Sequence, residues 1–135
     1  MLPSSWGQFR YRDVPNGREE FGRQLTELGI ESSIGPAEGQ LTFQYRVPGG
    51  RFHGQQITIG LVVPPDFPRN PPGGPHVRPA LLPMNPNAAD HPHRAAPSPL
   101  GAEWQYLSRP FRGRWTGRQG AAEYLAHIDH LFVTT

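Results

Sequence analysis

Between Ile57 and Pro72 the chain reads Ile-Thr-Ile-Gly-Leu-Val-Val-Pro-Pro-Asp-Phe-Pro-Arg-Asn-Pro-Pro. Ile57, Ile59, Leu61 and Val63 alternate with Thr58, Gly60 and Val62, the period of a strand packed on one face. Five prolines in the nine residues from Pro64 to Pro72 then forbid continuation, because each lacks a backbone donor and fixes its own φ. The strand must stop at Pro64. Each proline also biases the residue before it toward extended backbone, so Val63, Phe67 and Asn70 lead a stiff, non-helical excursion across the surface. Phe67 is its inward anchor.

The flanking segments supply partners for that strand. Leu41, Phe43, Tyr45 and Val47 alternate strictly with Gln40, Thr42, Gln44 and Arg46, a half-buried antiparallel strand that Pro48-Gly49-Gly50 turns back. Its partner runs from about Gln55 to Val63, and His76-Val77-Arg78 is a third, partial strand. Upstream, Asn16 caps a helix with Glu19 three residues later, and Phe21, Leu25 and Leu28 fall at i, i+4 and i+7 before Gly29 offers a left-handed stop. Gly22 weakens that helix by about 1 kcal/mol relative to alanine, so packing of the apolar stripe must hold it. Downstream, Thr116 and Gln119 form a second capping box. Tyr124, Leu125, Ile128, Leu131 and Phe132 then make one broad apolar face. The expectation is an α+β fold, an antiparallel meander of three to four strands between helices Gly17–Leu28 and Gly117–Phe132.

At 135 residues the whole chain, 1–135, is expected to form a single domain that buries about two thirds of its unfolded surface. The 17 prolines and 16 glycines concentrate between periodic segments, where they punctuate a compact fold. There is no cysteine, which excludes disulfides, thiolate zinc sites and thioester chemistry on this chain. No apolar run approaches the ~20 residues of a membrane span and Met1–Arg10 lacks the pattern of a secretion signal, so a cytoplasmic location with no membrane partner is expected. All 13 basic residues are arginine, and the net charge of +2 is too small to argue nucleic-acid binding. Only Arg109, Arg112, Arg114 and Arg118 cluster, as a patch suited to steering an acidic partner surface.

From Pro79 to Arg114 the sequence is proline-rich and poorly periodic, a loop of the length that usually carries function. It contains Asn85-Pro86-Asn87 and His91-Pro92-His93, both also common ways to start a turn. Two histidines without a third ligand are weak grounds for a metal, so neither a metal nor a cofactor is expected. The density of aromatics from Trp104 to Trp115 brings the end of this loop back to the core. His53, His127 and His130 read as solvent-facing.

The strand followed by Pro64-Pro65-Asp66-Phe67-Pro68-Arg69-Asn70-Pro71-Pro72 resembles the Pro-x-Asp-aromatic-Pro-x-x-Pro-Pro segment after the third strand of ubiquitin-conjugating enzymes. Phe52-His53-Gly54 is similar to the Tyr-x-Gly that opens that strand, and the stretch from Trp115 to Phe132 is similar to the tryptophan and helix after the family's active site. Trp104-Gln105-Tyr106-Leu107-Ser108-Arg109 resembles a bacterial branch, the prokaryotic conjugating-enzyme-like proteins encoded beside an activating enzyme and a ubiquitin-like protein, often in antiphage defence islands.

That resemblance implies a ubiquitin-conjugating-enzyme-like fold and, as partners, a ubiquitin-like protein and its activating enzyme. It places Asn87 or His93 where the family has the asparagine of His-Pro-Asn, whose amide supports the oxyanion of acyl transfer. It places Arg18 and Arg23 on the helix face that docks the activating enzyme. Phe67 and the cluster Arg109, Arg112 and Arg114 are expected to border the partner. Ser108 lies seven residues before Trp115, close to the family's spacing from catalytic cysteine to tryptophan. A serine is a weaker nucleophile and needs a base, for which His91 or His93 is the candidate. Ser98 is the competing hydroxyl. The expectations are therefore a transferase working through a serine oxyester, an inert module that binds the same partners, or, outside that family, a basic adaptor for acidic partners.

Overall fold

The computed structural model describes residues 16–81, 95–107, 111 and 113–134. Helix α1 (Gly17–Glu27) is followed by strands β1 (Ser32–Ile34), β2 (Gln40–Arg46), β3 (Gln56–Val62), β4 (His76–Arg78), β5 (Ala95–Ser98) and β6 (Gly101–Leu107), and then by helix α2 (Ala121–Val133). The strands form one antiparallel sheet in the order β1-β2-β3-β4-β6-β5.

Among the described residues the sheet has six strands rather than three or four. Beyond the three strands read from the sequence it adds β1 at one edge and, within the stretch expected to be loop, the pair β5 and β6. The alternation of that pair is interrupted by Pro97, Pro99 and Gly101, which hides a strand period from the sequence. The meander itself follows the alternation. Leu41 faces Leu61, Phe43 faces Ile59 and Tyr45 faces Ile57, so the apolar positions of β2 and β3 share one face. Both helices pack on that face, and Phe21, Leu25, Tyr124, Ile128, Leu131 and Phe132 close the core over Phe43, Ile59 and Val77.

Helix α1 begins with the expected box: Glu19 N–H donates to Asn16 Oδ1 at 3.0 Å, and Asn16 N–H donates to Glu19 Oε1 at 3.1 Å. It ends before Gly29, whose φ is +82°. Leu28 is the C-cap and is exposed, so the buried stripe consists of Gly17, Phe21 and Leu25.

Helix α2 starts one turn later than expected. Thr116 N–H does donate to Gln119 Oε1 at 2.9 Å, but the bond closes a turn, and Gly117 takes a φ of +90° that a helix does not admit. The helix instead starts after Gly120, whose N–H donates to Glu123 Oε1 at 2.6 Å, while Ala121 N–H donates to Gln24 Oε1 of α1 at 2.7 Å. A tertiary contact thus satisfies one of its orphan donors. Leu125, expected in the buried face, is half-buried, whereas His127, expected in solvent, is buried beside the rings of Phe111 and Tyr124. Tyr45 ties the end of α2 to the sheet. The Tyr45 ring lies 5.6 Å from that of Phe132, and its hydroxyl donates to Asp129 Oδ1 at 2.6 Å.

Candidate functional site

The proline-rich excursion is bound into the core at several points. Its local shape comes from turns in which Phe67 N–H donates to Pro64 O at 3.1 Å and Arg69 N–H to Asp66 O at 2.8 Å. Asn70 Nδ2 reinforces them by donating to Asp66 Oδ2 at 2.6 Å. Phe67 packs 5.0 Å from Phe21 of α1 and 6.2 Å from Trp115, ring centre to ring centre. The Trp115 indole N–H donates to Pro68 O at 2.8 Å. Tyr124 of α2 donates its hydroxyl to Gly73 O, and burial holds that phenol well above its ordinary pKa, so it remains a donor. The start of α1 abuts the same segment: Gly17 N–H donates to Pro65 O at 2.9 Å, and a Cβ on Gly17 would stand 1.8 Å from Pro64 O.

Phe111 continues this aromatic group, edge-on to Trp115 at 4.8 Å and stacked on Tyr124 at 6.2 Å. One pole of the molecule is therefore built from four distant parts of the chain: the start of α1, the proline segment, the Phe111–Trp115 strip and α2.

Of the residues proposed from sequence, Ser108, Asn87, His91, His93, Arg109 and Arg112 lie outside the described residues. Phe67, expected both as an anchor and at a partner surface, is the anchor: its ring is 4 % exposed and spent on the core. Arg114 and Arg118 are exposed beside the aromatic pole. Arg23 is exposed but engaged within α1, with Glu20 at 2.6 Å and Glu27 at 2.7 Å, and the Arg23 contact holds the Glu20 carboxyl below its ordinary pKa. Arg18 sits apart from it at the helix start. It donates from Nη1 to Gln40 O at 3.4 Å and borders a cleft of about 380 Å³ with Asn16, Glu38, Val62 and Pro64. The two arginines assigned to one docking face therefore have different surroundings.

A second polar group, unforeseen as a unit, lies where β4, β6 and β5 meet. His76 Nδ1 is 2.8 Å from Ser98 Oγ, and the same hydroxyl accepts from Leu100 N–H at 3.0 Å. His76 is buried, with its ring 4.7 Å from that of Tyr106. Burial pushes its pKa down to about 4, so the imidazole is neutral near pH 7 and carries one bare nitrogen. Beside the pair is a cleft of about 420 Å³ whose walls include Ser98, Gly101, Ala102, Trp104 and Gln105. The Arg78 guanidinium lies 4.5 Å above the Trp104 ring and 3.1 Å from Glu103. Ser98 was visible in sequence as a hydroxyl, but His76 was not visible as its neighbour. The two are 22 residues apart and meet only because β6 lies between β4 and β5.

Among the described residues no group of three or more His, Asp or Glu side chains is placed to hold a metal ion, and no helix is long and apolar enough to cross a membrane. No family model matches the chain, and no curated protein or solved structure matches it.

Proposed function

We propose that this chain is a ubiquitin-conjugating-enzyme-like module of a bacterial conjugation pathway. It receives a ubiquitin-like protein from an activating enzyme and passes it to a target through a serine oxyester. The observation that carries the reading is the packing of the aromatic pole. The strand-to-proline segment, the first helix, the Trp115 strip and the last helix are the parts whose sequence resembles that family. They are mutually bonded through Phe67, Trp115 and Tyr124. A rigid segment held under the last helix is what a transferase needs to present a reactive group at fixed geometry, because rates of acyl transfer depend on alignment.

The absence of cysteine decides the chemistry within that reading. A hydroxyl attacking the carbonyl of a thioester forms a C–O bond and expels a thiolate, which leaves an oxyester on this chain. The same absence favours a second reading, an inert module that binds the ubiquitin-like protein or the activating enzyme and transfers nothing.

One experiment separates them. The protein is incubated with its activating enzyme, the ubiquitin-like protein and ATP, and the products are resolved with and without reductant and with mild base. The transfer reading expects a covalent adduct that survives reductant and is cleaved by base. The chain has no lysine, so such an adduct is not an isopeptide on its own ε-amine. Binding without an adduct, beside a competent activating enzyme, establishes the inert module instead. Neither adduct nor binding, with salt-sensitive binding to nucleic acid alone, would leave the basic adaptor and remove both readings.

A further inference from the structure

We infer that Ser98 and His76 form a nucleophile–base pair, and that the cleft beside them admits an activated acyl group that Ser98 accepts. The inference rests on the conjugation reading only for the natural donor, a thioester-linked protein tail; the site itself is argued from its own geometry.

Three features converge on the Ser98 hydroxyl. Leu100 N–H occupies one lone pair of Oγ, and the neutral His76 ring, at 2.8 Å from Nδ1, is placed to take the hydroxyl proton. That leaves a lone pair of Oγ directed to neither partner, on a side chain that is half-buried and lines the cleft. Gly101 and Ala102 also line the cleft, and having no side chain and a single methyl group they leave room for an extended chain carrying the carbonyl. The hairpin register is irregular where it borders the cleft. Pro97 pairs with Gln105 but the next residue, Ser98, pairs with Gly101, so Ala102, Glu103 and Trp104 bulge out of the β5 ladder beside the cleft.

The surroundings of His76 select the substrate class. Burial penalises its protonated form, and among the described residues no carboxylate is bonded to the ring to stabilise it. The ring is therefore a weak base. A weak base suffices for donors whose leaving group departs without a proton, such as thioesters and aryl esters, and fails for amides. In the step itself the Oγ–H bond breaks and its proton moves to His76 Nδ1 as the C–O bond forms. The tetrahedral adduct then expels the thiolate, which takes the proton from the imidazolium, leaving an ester on Ser98 and a free thiol.

The test uses a fluorophosphonate probe, which needs no pathway partner, on the full chain, with the labelled residue located by peptide mass spectrometry. Wild type should be labelled at Ser98, Ser98→Ala should not be labelled there, and His76→Gln should slow labelling about 100-fold if His76 acts as a base. Where His76→Gln loses its fold by circular dichroism, Ser98→Cys replaces it. That variant, given an acetyl thioester, should form a thioester removed by transfer of the acyl group to excess added thiol, whereas wild type forms an ester that the thiol leaves intact. No label at Ser98, or equal rates in wild type and a folded His76→Gln, overturns the inference, as does a Ser98→Cys variant inert to the thioester. Labelling at Ser98 with no ubiquitin-like adduct leaves the pair standing and removes the conjugation reading. An adduct mapped elsewhere with Ser98 unlabelled does the reverse.

Discussion

The two halves of the sheet are held by different forces. In the β1–β3 half, the face toward the helices is a continuous aliphatic and aromatic surface of Leu41, Phe43, Ile57, Ile59 and Leu61, all buried. In the β4–β6–β5 half the same face carries Gln105 opposite Val77, with its Oε1 accepting from Leu81 N–H at 2.9 Å, and the other face carries buried His76 bonded to Ser98. The first half is stabilised by burial that needs no directional partner. The second adds to its buried Val77, Trp104 and Leu107 polar groups that stabilise only while each bond is made, since a buried donor or acceptor without a partner costs its full desolvation. A site for polar chemistry is affordable only in the second half.

That contrast can be tested by unequal responses to substitution and acid. The largest effect belongs to the apolar half: Phe43→Ala should cost about 3–5 kcal/mol in chemical denaturation, through lost burial and the cavity left behind. Acid should instead act on the polar half. The folded pKa of His76 is about 4 against 6.5 for the free side chain, so between these values the unfolded chain binds a proton that the folded one refuses. Its contribution is complete above pH 6.5 and should fall by about 3 kcal/mol as the pH approaches 4, a slope that His76→Gln should remove. Unfolding curves of both proteins across that range measure the difference. Gln105→Ala leaves Leu81 N–H without its acceptor and should cost about 2 kcal/mol. Ser98→Ala is the mildest, about 1 kcal/mol for its hydrogen bonds, yet it should abolish acylation. A Ser98→Ala loss as large as that of Phe43→Ala would make the pair a structural pin rather than a reactive one.

The division also explains what the sequence discloses. Period-two alternation is a record of one-sided burial, so β2 and β3 are legible from Leu41 to Val63, and the Asn16–Glu19 box marks α1 because its apolar stripe starts at once. Thr116 and Gln119 carry an equally good local signal, yet Gly117 and the side chain of Gln24, 97 residues away from Ala121, move the helix start. Hairpin β5–β6 leaves no period, because its order comes from pairing with β4 and from Trp104. That ring lies over Gly60, where a Cβ would come within 3.0 Å of it. The Ser98–His76 pair is illegible for the same reason. The sequence near Ser98 offers His91 and His93 as bases, and both lie outside the described residues, whereas the histidine at the hydroxyl, His76, comes from another strand.

The meeting of Gly17 with the proline segment has a consequence for the order of folding. Most helices with a capping box can flicker into existence on their own, since the cap and the first turn are neighbours in sequence. Here the first turn of α1 is pressed so closely on Pro64 that its backbone donor goes to Pro65 O, a partner 48 residues downstream. The turn reaches its final form only when β3 has formed and the chain has left it, so closing that loop must precede locking the helix. In kinetic terms, capping substitutions such as Asn16→Ala should speed unfolding while leaving the folding rate nearly untouched, placing the first turn of the chain's first described helix among the last parts to set.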